Sequence, residues 1–309
     1  MKTIILLLLL STYLTYSMGS SDIQNNNEKL VNLDFLDSID SLRFLSTTEP
    51  PGATGAMTTT YVNKGKESMI GDLPIYTVGT SKTNAIIFAY DIYGFNMGRT
   101  REICDRFADN GYFVILPDFY RGNYRDKPNS TFATSDYPWT KVSTDLTAVY
   151  GYLETMGIQK WTVMGTCWGG WVVFEACAAS SKVVSGVSFH PAMGLGAPLT
   201  PDQMADKVLS PQFVASSTGE PASMQAGGSV ETLLKGKSFG AKNVFKSYNE
   251  SHGFVPRGNL TVASTAAAVE DALTSAIAFV KSMDPPIITS SNRIAVYIGF
   301  IFAIMFILL

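Results

Sequence analysis

One cysteine lies within a run of small residues, MGTCWGG at positions 164–170, directly after the apolar residues 161–163. A Gly-x-nucleophile-x-Gly turn between a strand and a helix holds its central residue in a strained, exposed conformation, and the positions two away must be small. The helix that would begin here also points its backbone N–H groups at the sulfur, which favours the thiolate. The spacing therefore predicts that Cys167 is a catalytic nucleophile, with a buried structural thiol as the alternative.

The chain has two histidines. His252, in ESHGF, follows the last strand-like run and precedes the last helical segment, which fits the order nucleophile, acid, histidine of α/β-hydrolases. We expect it to accept the thiol proton and to pass a proton to the leaving group. His190, in SFHPA, ends the strand after the elbow. We expect it to form a structural hydrogen bond, with a substrate contact as the alternative.

Strand-like and helical segments alternate through the middle of the chain. The strand-like runs are PIYTVGT, NAIIFAYD, YFVILPDF, WTVMGTC, VVSGVSFH, PQFVASS and NVFKSY. The helical segments are RTREICDRFADNG and TKVSTDLTAVYGYLETMG, which end at the C-cap glycines Gly111 and Gly157, then WGGWVVFEACAAS and TVASTAAAVEDALTSAIAFVKSM. This alternation predicts a mostly parallel sheet with helices on both faces. Ligands bind such sheets at the carboxyl ends of the strands, where Asp91, Cys167 and His252 fall.

Three segments together resemble the dienelactone hydrolase (carboxymethylenebutenolidase) family: AYDIYGFNMGRTREICDRFADNGYFVILPDFYRG, GTCWGG and SHGFVPRGN. The resemblance covers about residues 76–283. It implies an α/β-hydrolase fold and cleavage of lactones or small activated esters by a cysteine, with no metal and no organic cofactor. The implied partner is a small-molecule ester or lactone substrate. In this chain the resemblance makes Cys167 the nucleophile and His252 the base.

The same resemblance implies roles for residues around the nucleophile. It places Asp91 where the family has a glutamate that contacts the resting thiol. It assigns the oxyanion hole to the backbone N–H groups of Trp168 and Ile92, which converge from the residue after the nucleophile and from the loop after an early strand. Arg121 and Arg257 lie about one residue away from positions that offer arginines to a substrate carboxylate. A surface role in solubility is the alternative for both.

The acid of the triad departs from the family pattern. The family has an aspartate in a Gly-x-x-Asp type of turn after the strand PQFVASS, where this chain reads SSTGEPASMQAGG with Ala222 at that position. Glu220 is the carboxylate close by, and a glutamate can orient a histidine; a solvated loop residue is the alternative. Asp202 and Asp206 are assigned to a loop or short helix before the strand. The alternative function is therefore a catalytically silent α/β-hydrolase-fold binding protein at the cell surface.

The composition and the two ends of the chain predict its organisation and location. The 309 residues are 46% hydrophobic with a net charge of −3, which suits one large domain and gives no reason to expect a nucleic-acid partner. We predict a signal peptide at 1–19, a polar lead-in at 20–51, a dienelactone-hydrolase-like domain at 52–284 and a hydrophobic tail at 285–309. An uncleaved signal anchor is the alternative at the start. The tail is predicted to be a GPI-attachment signal, with a membrane-anchoring helix as the alternative, so both readings attach the protein to a membrane on its extracellular side.

Sequons and cysteines agree with a secretory route. Asn129, Asn249 and Asn259 begin Asn-x-Ser/Thr triplets and are predicted glycosylation sites. The three cysteines are an odd number, which excludes a disulfide scaffold and leaves at least one thiol free unless it pairs with another chain. We expect Cys167 to be free.

Overall fold

A computed structural model describes residues 60–124, 136–195 and 199–284. The predicted signal peptide, the polar lead-in, the hydrophobic tail and Asn129 lie outside the described residues. The predictions made for these segments are therefore not tested by the structure.

The described residues form one sheet of eight strands. The strands are β1 (Lys66–Ile70), β2 (Leu73–Val78), β3 (Ala85–Ala89), β4 (Phe113–Pro117), β5 (Trp161–Thr166), β6 (Val183–Phe189), β7 (Gln212–Ser216) and β8 (Val244–Ser247). Their order across the sheet is β1-β2-β4-β3-β5-β6-β7-β8. β2 pairs antiparallel with both β1 and β4, and every pair from β4 onward is parallel. The seven predicted runs are β2 to β8, and the prediction of a mostly parallel sheet is confirmed.

Among the described residues, five helices lie between the parallel strands, and two follow the last strand. They are α1 (Thr100–Asp109), α2 (Trp139–Thr155), α3 (Trp168–Ala179), α4 (Pro201–Lys207), α5 (Ser229–Lys235), α6 (Phe254–Arg257) and α7 (Ala263–Met283). The four predicted helical segments are α1, α2, α3 and α7. Gly111 and Gly157 follow α1 and α2 with positive φ angles of 96° and 86°, as C-cap glycines do.

The central strands are covered on both faces. Every residue of β3, β4 and β5 is buried, which requires apolar packing above and below the sheet. α3 packs on β5 and β6, and α7 packs on β6 and β7. By length and composition α7 could cross a membrane, yet a face that includes Val269, Leu273 and Val280 is buried in this domain.

Backbone strain is concentrated at the carboxyl edge of the sheet. Among the described residues, the non-glycine positions with positive φ are Arg121 (50°), Cys167 (54°) and His190 (38°), which follow β4, β5 and β6. Such conformations persist only where the surrounding structure demands them, and they cluster at functional sites. The strain therefore lies at the edge where parallel sheets bind their ligands.

Candidate active site

Cys167 occupies a sharp turn between β5 and α3, with φ 54° and ψ −116°. A Cβ atom added at Gly165 would lie 2.2 Å from the carbonyl oxygen of Gly169, and one added at Gly169 would lie 2.0 Å from the carbonyl oxygen of Ala89. Both positions must therefore be glycine for this turn to form. The sequence pattern thus corresponds to the geometry of a nucleophile elbow.

The elbow is also held by the turn that follows β6. The backbone N–H of Cys167 donates to the carbonyl oxygen of Phe189 at 3.1 Å, and its own carbonyl accepts from Gly170 and Ala192, each at 2.9 Å. The strained conformation is therefore fixed by two neighbouring chain segments.

Burial and neighbouring charges set the acidity of the Cys167 thiol. Burial raises its pKa to about 12, and the negative charge of Asp91 acts in the same direction. The charge of Arg257 and a hydrogen bond from the Trp168 N–H lower the pKa, but they do not outweigh burial. The N–H group at the start of the helix acts in the expected direction, but burial of the sulfur outweighs it, so the resting site favours the protonated thiol.

Glu220 and His252 form a hydrogen-bonded pair. Glu220 Oε1 lies 2.6 Å from His252 Nδ1, and the two side chains are 1% and 16% exposed. Glu220 also accepts from the backbone N–H of Ser217 and, at 3.0 Å, from the Ser217 hydroxyl. Glu220 is therefore not a solvated loop residue, and it lies where a triad acid would orient the imidazole.

Burial governs the charges of this pair. It raises the pKa of Glu220 to about 8, against the opposing effect of the two hydrogen bonds from Ser217. It also holds the pKa of His252 well below the usual 6.5, assisted by the positive charge of Arg257. The imidazole is consequently neutral at neutral pH and able to accept a proton.

Asp91 and Arg257 form a buried ion pair beside the elbow. Arg257 Nε donates to Asp91 Oδ2 at 3.0 Å, and the side chains are 3% and 1% exposed. Asp91 Oδ1 accepts from the backbone N–H of Tyr93 at 2.9 Å, and the Arg257 guanidinium lies over the Tyr93 ring, 4.3 Å from its centroid. Both charges shift the pKa of Cys167. Arg257 is thus an interior residue of the site, and the alternative of a surface role is wrong for it.

The two predicted oxyanion-hole residues come from neighbouring chain segments. Trp168 begins α3 and donates its backbone N–H toward the Cys167 sulfur. Ile92 lies in the turn after β3, which a hydrogen bond from Gly94 N–H to the Asp91 carbonyl closes at 3.2 Å. The close approach of Gly169 to the end of β3 brings α3 against this turn. The roles of Trp168 and Ile92 stay predictions.

Arg121 is engaged away from this cluster. Its guanidinium donates to both carboxylate oxygens of Asp145, each at 2.9 Å, and to Asp72 at 2.9 and 3.2 Å. These carboxylates raise its pKa. The structure therefore brings Arg257, but not Arg121, together with the other predicted residues, and a substrate contact of Arg121 stays a prediction.

Arg99 is a site-supporting residue that sequence reasoning missed. Its guanidinium donates to the carbonyl oxygens of Phe254, Val255 and Gly258 at 2.9–3.1 Å. Its backbone N–H donates to the carbonyl oxygen of Pro256 at 2.8 Å. It thereby holds the short helix α6, which carries Arg257. No local signal marks this role, because the contacts join segments more than 150 residues apart.

His190 forms a structural hydrogen bond through its backbone but not through its ring. It is completely buried, its N–H donates to the carbonyl oxygen of Ala215 at 2.7 Å, and neither ring nitrogen has a hydrogen-bond partner among the described residues. The ring instead meets that of His252, with 4.7 Å between centroids and 73° between planes.

The part of the chain that the structure describes contains neither a disulfide nor a candidate metal site. Cys104, Cys167 and Cys177 are all buried free thiols. Within residues 60–124, 136–195 and 199–284, no three or more His, Cys, Asp or Glu side chains are grouped so as to hold a metal ion.

Comparison with known proteins identifies the family. Residues 74–283 match the model of the dienelactone hydrolase family. The chain belongs to this family. It is 32% identical over 139 residues to a carboxymethylenebutenolidase homolog of Xenopus tropicalis, an alignment that covers 42% of this chain and 56% of that protein. It is 33% identical over 123 residues to an endo-1,3;1,4-beta-D-glucanase of Zea mays, covering 39% and 40%. The chain thus spans about half the length of the curated relatives it matches.

A solved structure shows the same fold. A putative dienelactone hydrolase from Klebsiella pneumoniae aligns with a TM-score of 0.53 and 18% identity, covering 72% of this chain and 99% of that one. The predicted family and the predicted α/β-hydrolase fold are therefore both confirmed.

Proposed function

We propose that the protein hydrolyses lactones or small activated esters, with Cys167 as the nucleophile. The observation that carries the proposal is the Glu220–His252 hydrogen bond of 2.6 Å in a dienelactone hydrolase family member whose cysteine occupies a strained elbow. Nucleophile, base and orienting acid are the three parts that acyl transfer needs.

Acylation begins with the neutral thiol. With Nδ1 of His252 bonded to Glu220, Nε2 takes the thiol proton as the sulfur bonds to the carbonyl carbon of the substrate. Because burial puts the pKa of the thiol near 12 and that of the imidazole below 6.5, proton transfer and attack must proceed together. The N–H groups of Trp168 and Ile92 stabilise the oxyanion. Collapse breaks the ester C–O bond, and His252 returns the proton to the leaving oxygen.

Deacylation reverses these roles. The oxygen of a water molecule bonds to the thioester carbonyl carbon while His252 removes a proton from that water. The C–S bond then breaks, and the proton on His252 goes to the sulfur, which restores the thiol.

The position of Glu220 favours this mechanism over a catalytically silent binding protein. The absence of an aspartate at position 222 supported the silent alternative. A buried glutamate bonded to His252 supplies the missing carboxylate from a different position.

The test is hydrolysis of p-nitrophenyl acetate and of an unsaturated five-membered lactone by wild type, Cys167→Ala and His252→Ala. We expect activity in the wild type and its loss in both variants. Equal rates in wild type and Cys167→Ala would refute the proposal. A mixed-linkage β-glucan belongs in the same series, because one relative carries the name of a β-glucanase.

We also propose that the protein is exported and attached to a membrane by its C-terminal tail. The support is the sequence of residues 1–19 and 285–309 together with the three sequons. Asn249 is exposed, which suits a glycan, whereas the Asn259 side chain accepts hydrogen bonds from Thr261. Expression of the full chain in a eukaryotic cell, with glycosidase treatment and phospholipase C release, tests both points. A cytosolic, unglycosylated product would refute them.

A further inference from the structure

His190 is a buried imidazole next to His252 that the proposed mechanism leaves unused. It directly follows β6, has no exposed surface and holds a positive φ of 38°. Its backbone N–H donates to the carbonyl oxygen of Ala215 at 2.7 Å. Phe189, the residue before it, and Ala192, two residues after it, hydrogen-bond the backbone of Cys167. A strained, non-glycine residue is therefore built into the same turn that holds the nucleophile.

The ring of His190 offers one donor and one acceptor. Burial lowers its pKa well below 6.5, so the imidazole is neutral, with one N–H group and one nitrogen lone pair. Neither nitrogen has a partner among the described residues. Buried polar atoms are almost always hydrogen-bonded, and a water molecule commonly bonds those that the protein leaves unsatisfied.

The location of the ring fits a role next to the base. His190 contacts His252 edge to face, with centroids 4.7 Å apart, and it contacts Phe254 with centroids 5.8 Å apart. Since an N–H···O hydrogen bond spans about 2.9 Å, one oxygen atom can bond His190 and remain within reach of the neighbouring imidazole. Complete burial of His190 suits a molecule as small as water rather than a bulky part of a substrate.

We propose that His190 binds and positions the water molecule that hydrolyses the acyl-Cys167 thioester. The inference rests on the proposed function and deepens it. A nitrogen of His190 holds the water by a hydrogen bond while the water oxygen bonds to the acyl carbon and His252 takes the proton. Breakage of the C–S bond and return of that proton to the sulfur complete the step. His190 itself has no net gain or loss of protons.

The test separates acylation from deacylation with p-nitrophenyl acetate. His190→Phe keeps an aromatic ring against His252 and Phe254 but removes both nitrogens. His190→Asn keeps polar atoms and tolerates a positive φ. First-turnover and steady-state release of p-nitrophenol give the two rates, and mass spectrometry of quenched enzyme gives the fraction of acetylated Cys167.

We expect His190→Phe to acylate at close to the wild-type rate and to deacylate about tenfold more slowly, the factor that one lost hydrogen bond typically costs. Acetylated Cys167 should accumulate, and His190→Asn should recover part of the deacylation rate. Equal deacylation in wild type and His190→Phe would overturn the inference. An equal loss of both rates would also overturn it, because it indicates a packing role alone.

A second measurement covers the case in which His190→Phe does not fold. Methanol competes with water for the acetyl group, and a less well positioned water lets methanol capture a larger share. His190→Asn should therefore form more methyl acetate relative to acetate than the wild type does. An unchanged ratio would overturn the inference. If wild-type Cys167 is never acetylated in a competent hydrolase, the proposed cysteine mechanism fails first, which is a distinguishable result.

Discussion

Replacement of Glu220 by glutamine tests the residue that departs from the family pattern. The Glu220→Gln side chain keeps its length, so an amide oxygen can still accept from Ser217, but it cannot ionise to stabilise the imidazolium formed on His252. Hydrogen bonds to charged groups contribute about 1.5–3 kcal/mol. Loss of this stabilisation from the transition state lowers kcat/KM by about 10- to 150-fold. The short distance of 2.6 Å and the 1% exposure of Glu220 favour the upper part of that range.

The assay is kcat/KM for hydrolysis of an aryl ester, with Ser217→Ala as the matched control. This control removes one donor that lies 3.0 Å from the carboxyl group but leaves an ionisable group beside His252. We expect the control to lose no more than about tenfold, the effect of one hydrogen bond. Activity of Glu220→Gln within threefold of wild type would refute the assignment of Glu220 as the orienting acid.

Three further predictions concern the surroundings of the elbow. Alkylation of Cys167 by iodoacetamide should be slow at pH 7 and rise with pH. Asp91→Asn should accelerate it, because Asp91 raises the thiol pKa and each unit by which that pKa falls gives about tenfold more thiolate; equal rates by mass spectrometry would contradict this. Gly169→Ala should lower the free energy of unfolding by more than about 2 kcal/mol because the new Cβ meets a β3 carbonyl, whereas Gly151→Ala, which meets nothing within 4 Å, should not; denaturant titration compares them. Arg99→Met should lower both Tm and kcat/KM because three buried carbonyls lose their donor, and Arg99→Lys should restore part; an unchanged Tm would show that α6 does not need this contact.

The fold was predictable where burial imposes a pattern on the sequence. β2 to β8 read as apolar runs because the sheet buries them or places them beside a covered strand, and glycines mark the ends of two helices. β1 was missed because its residues KESMI are almost all exposed. It is held by antiparallel pairing with β2, a long edge contact that needs no apolar side chains.

The candidate site was predictable only where it depends on local spacing. The glycines around Cys167 and the place of His252 after β8 are properties of short segments. The protonation of the thiol is not, because it depends on the burial of the sulfur and on the charges of Asp91 and Arg257, which are distant in the sequence. The support of α6 by Arg99 and the edge-to-face contact of His190 with His252 are likewise contacts between distant segments.

Glu220 illustrates how a carboxylate can be supplied from an unexpected position. Its turn is closed on itself by the Ser217 N–H and hydroxyl groups, and Gln225 binds the carbonyls of Ser217 and Glu220 at 2.7 and 3.2 Å. Ala222, at the position where the family pattern has its aspartate, begins a short 3-10 helix. The longer glutamate side chain thus extends from a turn that its own hydrogen bonds hold rigid. The entropic cost of ordering this side chain is therefore offset mainly by contacts that the turn already makes. Geometry at His252 Nδ1, rather than the identity of the residue at position 222, is therefore the criterion by which a triad acid should be recognised in such chains.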